Sequence, residues 1–173
     1  MGNRILITGA SGSGTTTLGH ALALHLGAGF FDADDYYWLP SHPPFQAKED
    51  PAIRLARMLK DLSKYPVAVL AGSVMRWGAD LEDSFSLVVF LTVPADLRVE
   101  RLRHREMKRF GHADPQFLKW AAQYDAGDLE GRSLSKHTEW LSKRRCTVLH
   151  IDGDVSTTDR LARVVQVLGF QRM

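Results

Sequence analysis

Gly9, Gly12 and Gly14 punctuate the run Gly9-Ala10-Ser11-Gly12-Ser13-Gly14-Thr15-Thr16-Thr17, which follows the apolar triplet Ile5-Leu6-Ile7 and precedes Leu18-Gly19-His20-Ala21-Leu22. Glycines at this spacing let the backbone turn tightly with its N–H groups pointing inward, and a helix that starts at the turn adds its dipole. The chemistry this offers is the binding of a polyphosphate, with the Thr16 hydroxyl placed to hold Mg²⁺. The common form of such a turn is GxxxxGK[ST]; Gly9, Gly14 and Thr16 fit it, and Thr15 stands where the lysine belongs. Losing one preorganised donor to developing charge typically costs about a hundredfold or more in rate unless another cation substitutes. The plainer reading is a Gly/Ser turn that only joins a strand to a helix.

Acids come next. Gly29-Phe30-Phe31-Asp32-Ala33-Asp34-Asp35 reads as a short buried strand ending in carboxylates. Ligands of open α/β sheets bind at the carboxyl ends of strands, so Asp32 and Asp34 are expected near the glycine turn. Two positions apart, they point the same way on an extended chain. One would hold a Mg²⁺-bound water or take a proton from an attacking hydroxyl, and the other would bind the phosphate acceptor. An Asp-rich turn that simply ends a strand is the alternative. Arg76, beyond the strand Val67-Ala68-Val69-Leu70 and Gly72, either grips an anionic group of the acceptor or pairs with Asp80 at i+4.

Fifteen of the 22 basic residues are Arg, whose planar fork suits phosphate. Four of them, Arg98, Arg101, Arg105 and Arg109, are spaced three, four and four apart after Pro94 and share one helix face. None has an acid at i±4, and only Arg109 has one at i±3, Glu106. A stripe so poorly paired is expected to face phosphate instead of bare solvent. Arg132 is a further candidate to face the site, whereas His137 is expected at the surface and is left out of the candidate set.

These residues need a frame to hold them. Apolar runs at 5–7, 29–31, 67–70, 87–93 and 147–151 predict five strands, and the segments between them predict helices: one to about Ser63 headed by Asp50-Pro51, one after Pro94, one through Phe117, Trp120 and Tyr124, one from about Arg132 to Lys143, and a last one capped at Ser156-Thr157-Thr158-Asp159. Tyr36, Tyr37, Trp38, Leu39 and the prolines Pro40, Pro43 and Pro44 form an irregular stretch that covers the core or lines the acceptor site, and Asp125-Ala126-Gly127-Asp128 is a polar turn. At 173 residues the chain has room for one well-buried core, and 45% hydrophobic with 24% charged residues is ordinary for a soluble globular protein. With no apolar run near the ~20 residues of a membrane span and no signal-peptide layout, a cytoplasmic protein without membrane contact is expected. Acids interspersed along a chain of net charge +2 argue against nucleic acid as a partner. The lone Cys146 makes no internal disulfide.

The glycine turn at 9–17, FFDADD at 30–35 and VPADLRVERLRHR at 93–105 together resemble the small P-loop kinases: nucleoside monophosphate kinases such as adenylate kinase, and shikimate and gluconate kinases. The resemblance covers nearly the whole chain. It implies a three-layer α/β/α fold with a five-stranded parallel sheet, a single domain over residues 1–173, and a short lid at about 98–132. It implies ATP and Mg²⁺, with Gly9, Ser11, Gly12, Ser13, Gly14, Thr15, Thr16 and Thr17 around the phosphates and Thr16 with Asp32 at the metal. By the same resemblance Arg101 stacks near the ATP base, Arg105 reaches the transferring phosphates, and the loop at Asp154 and Val155 receives the base. Arg101, Arg105 and Asp32 form the catalytic set; Asp34, Arg76 and Arg132 bind the acceptor. Two positions depart from the family pattern: Thr15 replaces the lysine, and Arg76 lies one residue farther from Gly72 than in adenylate kinases. The expected activity is transfer of the γ-phosphate to a small acceptor, a nucleoside monophosphate ahead of a hydroxylated metabolite, by a monomer or homodimer. The alternative is a protein that binds nucleotide without transferring phosphate.

Overall fold

Ile5, Leu6, Ile7, Val69, Leu70, Val88 and Val89 have no exposed surface, because they sit in strands covered on both faces. The computed structural model describes residues 3–42, 44–126 and 131–170. Pro43 and the Gly127-Asp128 half of the expected polar turn lie outside them. Strands β1 (Asn3–Gly9), β2 (Gly29–Asp32), β3 (Val67–Ala71), β4 (Leu87–Thr92) and β5 (Thr147–Asp152) form one sheet in the order β2-β3-β1-β4-β5. All pairings are parallel, with Ile5 opposite Val69 and Ile7 opposite Val89.

Alternation along each strand divides the core in two. On one face Leu6, Leu70, Val88 and Phe90 pack against α3 (Pro51–Leu62), through Met58 and Leu62, and against α7 (Leu134–Ser142), through Trp140 and Leu141. On the other, Ile5, Ile7, Val69 and Val89 meet Leu18 and Leu22 of α1 (Thr15–Leu26) and Val164 and Leu168 of α8 (Thr157–Phe170). This is the three-layer α/β/α fold with a five-stranded parallel sheet that the sequence predicts. A smaller cluster of Leu102, Leu118 and Ala121 joins α5 (Ala95–Phe110) to α6 (Pro115–Ala122). Short helical turns α2 (Asp34–Tyr37) and α4 (Ala79–Glu82) complete the described helices, with a 3₁₀ turn at Gln123–Ala126.

Side-chain caps start the helices where the sequence places them. Asp50 accepts from the N–H groups of Ala52 and Ile53 at 2.9 and 3.1 Å, ahead of Pro51. The Ser156 hydroxyl accepts from the N–H of Asp159 at 3.1 Å. One expectation needs correcting: the strand expected to run on to Asp35 stops at Asp32, and the chain turns at once into α2. Among the described residues no helix is long and apolar enough to cross a membrane.

Candidate active site

The glycine turn follows β1, the middle strand, at the carboxyl edge of the sheet. Gly9 and Gly12 have no room for a side chain: a Cβ would lie 2.5 Å from the Leu91 carbonyl oxygen at the first and 2.7 Å from that of Arg98 at the second, where φ is +84°. Ser13 points both of its donors inward to the Ala10 carbonyl, the N–H at 3.1 Å and the hydroxyl at 2.8 Å, and is fully buried. It shapes the turn from beneath, which corrects its expected place among the phosphate contacts. Thr16 Oγ1 donates to Asp32 Oδ2 at 3.0 Å, and the other Asp32 oxygen accepts from the N–H of Asp34 at 3.0 Å. Among the described residues no group of three or more His, Cys, Asp or Glu could hold a metal ion. The Thr16–Asp32 pair offers two oxygens, which suits Mg²⁺, a cation that keeps several waters and takes further ligands from substrate phosphates.

Because the chain turns helical after Asp32, the two carboxylates part. Asp32 faces Thr16, while Asp34 enters a cavity of about 980 Å³. Burial raises the Asp34 pKa, as does the charge of Asp32, while Arg132 and Arg105 pull it down. Arg76 and Arg132 line the same cavity, as does Arg54 of α3, which sequence reasoning missed. The Arg54 guanidinium lies 4.3 Å from the Trp77 ring centre and 4.9 Å from that of Tyr37, and its buried Nε has no hydrogen-bond partner. Burial lowers its pKa. It rests against both rings of this stacked pair, and the edge of a guanidinium is a fork for anions. All four tryptophans of the chain, Trp38, Trp77, Trp120 and Trp140, line this cavity; Arg132 lies over Trp120 at 5.6 Å. Arg76 adopts φ +65°, uncommon for a residue with a side chain, and among the described residues no ion pair joins it to the Asp80 partner considered from sequence.

The arginine stripe divides. Arg98 is fully buried, donating from Nε to the Val93 carbonyl at 2.9 Å, from Nη1 to Ala121 O at 3.1 Å and Ser11 O at 3.4 Å, and from Nη2 to Asp125 at 2.9 Å. It fastens the glycine turn to α6 and does not face phosphate, contrary to expectation. Arg101 pairs with Asp154, so these two expected nucleotide contacts meet. Arg105 is paired with its neighbour Glu106 at 3.2 Å, and Arg109 lies over the rings of Phe45 and Phe110.

A further buried arginine was also missed. Arg160 donates from Nη1 to Ser13 O at 2.7 Å and from Nη2 to Gly153 O at 3.1 Å. Arg54, Arg98 and Arg160 share a signature that was readable in the sequence. Each is the fourth residue of its helix, and each heads a buried row at steps of four: Arg54-Met58-Leu62, Arg98-Leu102 and Arg160-Val164-Leu168. A charge at the head of an apolar row, one turn past the carboxyl edge of the sheet, marks a cation held inward at the ligand end.

His137 also departs from expectation, being fully buried where a surface position was expected. Its Nδ1 meets the Tyr124 hydroxyl at 2.5 Å, and its Nε2 lies 3.3 Å from Ser73 Oγ and 3.5 Å from Thr8 Oγ1. Burial pushes its pKa down to about 3, helped by Arg132, so the ring is neutral.

No family model matches the chain. Among solved structures the fold is similar to shikimate kinase from Acinetobacter baumannii in complex with shikimate, with TM-score 0.61 and 16% identity over 100% of this chain and 96% of that one. It is likewise similar to a gluconokinase from Sinorhizobium meliloti 1021, with TM-score 0.60 and 23% identity over 99% and 98% of the two chains. At these identities the likeness shows the fold. A closer relation exists in sequence: the protein YqaC of Bacillus subtilis (strain 168), described as uncharacterized, is 40% identical over 178 residues, 97% of this chain and 98% of that protein. A match of that depth, end to end, means that the glycine turn, the arginine-headed helices and the cavity belong to a chain of the YqaC family.

Proposed function

We propose that the chain is an ATP-dependent phosphotransferase that moves the γ-phosphate to a hydroxyl of a small anionic metabolite. The observation that carries this is the placement of Asp34: a carboxyl that lines a large cavity together with Arg132, its pKa raised by burial and by Asp32 and drawn down by the charges of Arg132 and Arg105. A carboxylate with a raised pKa is suited to accept a hydroxyl proton as the bond to phosphorus forms, and the nearby arginines offset the charge that builds up. The backbone N–H groups of Gly12, Gly14, Thr15 and Thr16 cradle the phosphates, with Ser11 and Thr17 at the ends of the turn. Thr16 and Asp32 hold Mg²⁺, which when bound neutralises phosphate charge. Arg101, Asp154 and Val155 take the base once the Arg101–Asp154 pair opens. The lid is the segment 98–132, of which residues 127–130 lie outside the described residues.

For the acceptor, Arg54 and Arg132 present guanidinium edges to an anion, while Arg76 guards the outer side. A hydroxylated acid suits these groups better than a nucleoside monophosphate, and the likeness of the fold to shikimate kinases and a gluconokinase supports the same choice. Thr15 favours a second reading, nucleotide binding without transfer, because the position that normally supplies a cation has none. Mg²⁺-dependent ADP release, measured across a panel of hydroxy acids, sugar acids and nucleoside monophosphates, separates the readings. Acceptor-stimulated release with an acid supports the transferase; tight ATP binding without release from any acceptor establishes the second reading instead.

A further inference from the structure

We propose that Arg160 is the cation of the phosphate turn, supplying from α8, through the backbone, the charge that a lysine at position 15 would bring. The inference rests on the reading of residues 9–17 as a phosphate site. Arg160 is 4% exposed, and its Nη1 donates to the Ser13 carbonyl at 2.7 Å. That carbonyl and the Gly14 N–H belong to one peptide unit, so a cation on the oxygen polarises the amide and strengthens its N–H as a donor. The guanidinium lies close against the turn: a Cβ at Gly14 would stand 3.0 Å from Nη1. Arg98 does the same to the Ser11–Gly12 peptide from the other side, at 3.4 Å.

Charge balance separates the two arginines. Arg98 is neutralised by Asp125 at 2.9 Å. Arg160 bonds only carbonyls among the described residues, Ser13 and Gly153, and Asp154, the carboxylate whose charge acts on it, is paired with Arg101. Two cations therefore share one carboxylate behind the turn. Burial and the charge of Arg101 lower the Arg160 pKa, its Nε is buried without a partner, and it occupies the first turn of a helix, the end that disfavours cations. Burial, Arg101 and the helix end work against a charge at this place, Asp154 and the two carbonyls offset them in part, and a bound polyphosphate would tip the balance toward the charge. Electrostatic stabilisation from behind a peptide reaches less far than a lysine in direct contact, but in a site of low dielectric it is strong.

The test is calorimetric binding of inorganic tripolyphosphate, of ATP and of adenosine to the wild type, to Arg160→Lys, to Arg160→Gln, and to Arg160→Gln combined with Thr15→Lys, with circular dichroism to show that each is folded. Expected are tripolyphosphate affinities in the order wild type, Lys, Gln, with Gln at least tenfold weaker, adenosine affinity within twofold, and Thr15→Lys restoring more affinity in the Gln background than it adds to the wild type. Folded Arg160→Gln with wild-type tripolyphosphate affinity overturns the inference, as does an equal loss for adenosine and tripolyphosphate, which would make Arg160 a brace for the base loop alone. Should the wild type bind neither tripolyphosphate nor ATP, the phosphate-site reading falls and this inference falls with it. If Gln does not fold, the Lys variant alone decides: it keeps the charge and cannot span both carbonyls, so a loss beyond tenfold overturns the role assigned to charge.

Discussion

Thr16 donates its hydroxyl to Asp32 across 3.0 Å, and that bond joins the first turn of α1 to the carboxyl end of β2. Both residues lie at the surface of the site, so the bond contributes little to the fold and much to what can bind there. Asp32→Asn keeps a hydrogen-bonding group while removing the charge. Thermal stability should stay within about 0.5 kcal/mol, while turnover falls on the order of a hundredfold and the gain in ATP affinity on adding Mg²⁺ shrinks. Titrating ATP with and without the metal checks this; an unchanged metal dependence in the variant would take Asp32 out of the metal site.

Arg98 and Arg105 stand two turns apart on one helix and should fail in opposite ways. Truncating Arg98 to Met releases the half-exposed Asp125 to water but strands the carbonyls of Val93 and Ala121, and a buried acceptor left unsatisfied costs about 1–3 kcal/mol. Arg105→Ala should leave Tm nearly unchanged, since Arg105 is itself exposed and its partner Glu106 is its chain neighbour, while kcat falls at least tenfold and ATP affinity is retained. Denaturation and steady-state kinetics on the pair of variants test both; matching stability losses would return Arg105 to a structural role.

Asp34 sets a pH dependence of activity. Its folded pKa is raised by burial and by Asp32, so the folded state holds a proton more tightly than the unfolded chain. The sign for stability follows: the group favours folding when protonated, and that benefit is lost as pH rises through the raised pKa. Once ionised, the carboxylate is therefore a cost to the fold. Asp34→Asn should raise Tm at pH 7, with a smaller gain in acid, while acceptor phosphorylation drops on the order of a hundredfold or more. In the wild type kcat/KM should fall on the acid side with an apparent pKa above the ordinary 3.8 of Asp.

His137 has the reverse linkage. Its ring is neutral in the fold down to a pKa of about 3, whereas the unfolded ring titrates at its ordinary 6.5, so unfolding takes up a proton between those values. Stability should fall as pH drops from 6.5 toward 3, by up to about 1.4 kcal/mol per pH unit from this group. His137→Gln should be less stable than the wild type at pH 7, since it loses part of the contact with Tyr124, but should show a shallower decline in acid. Urea denaturation at stepped pH values reads the slope directly, and an identical slope in the variant would place the titration elsewhere.

Much of the fold was legible because its signals are local. The fully buried runs around Ile5–Ile7, Val69–Leu70 and Val88–Val89 read as central parallel strands from apolar continuity alone, and Asp50-Pro51 announced the start of α3. The glycine turn was legible for the same reason, since φ +84° at Gly12 and +91° at Gly14 are needs met within a few residues. What was not legible depends on distant partners. The apolar rows behind Arg98 and Arg160 signal that both turn inward, but the acceptors they meet lie far along the chain, Ser11 and Ala121 for Arg98, and Ser13 for Arg160. His137 is inside because Thr8, Ser73 and Tyr124 converge on it. Helix periodicity showed that Arg98, Arg101, Arg105 and Arg109 share a side, but the identity of the partner on that side comes only with tertiary structure.

Trp38, Trp77, Trp120 and Trp140 all border one cavity, and the rest of the molecule has no indole. Excited at the red edge, where tyrosine does not absorb, the protein therefore emits from that cavity alone. Three of the four rings carry an arginine over them, Arg54 on Trp77, Arg132 on Trp120 and Arg144 on Trp140, so an anion that drew any of these guanidinium groups away would change the light the protein gives off. Acceptors can accordingly be screened with unlabelled protein and without ATP, by dimming or colour shift, before any phosphate has moved.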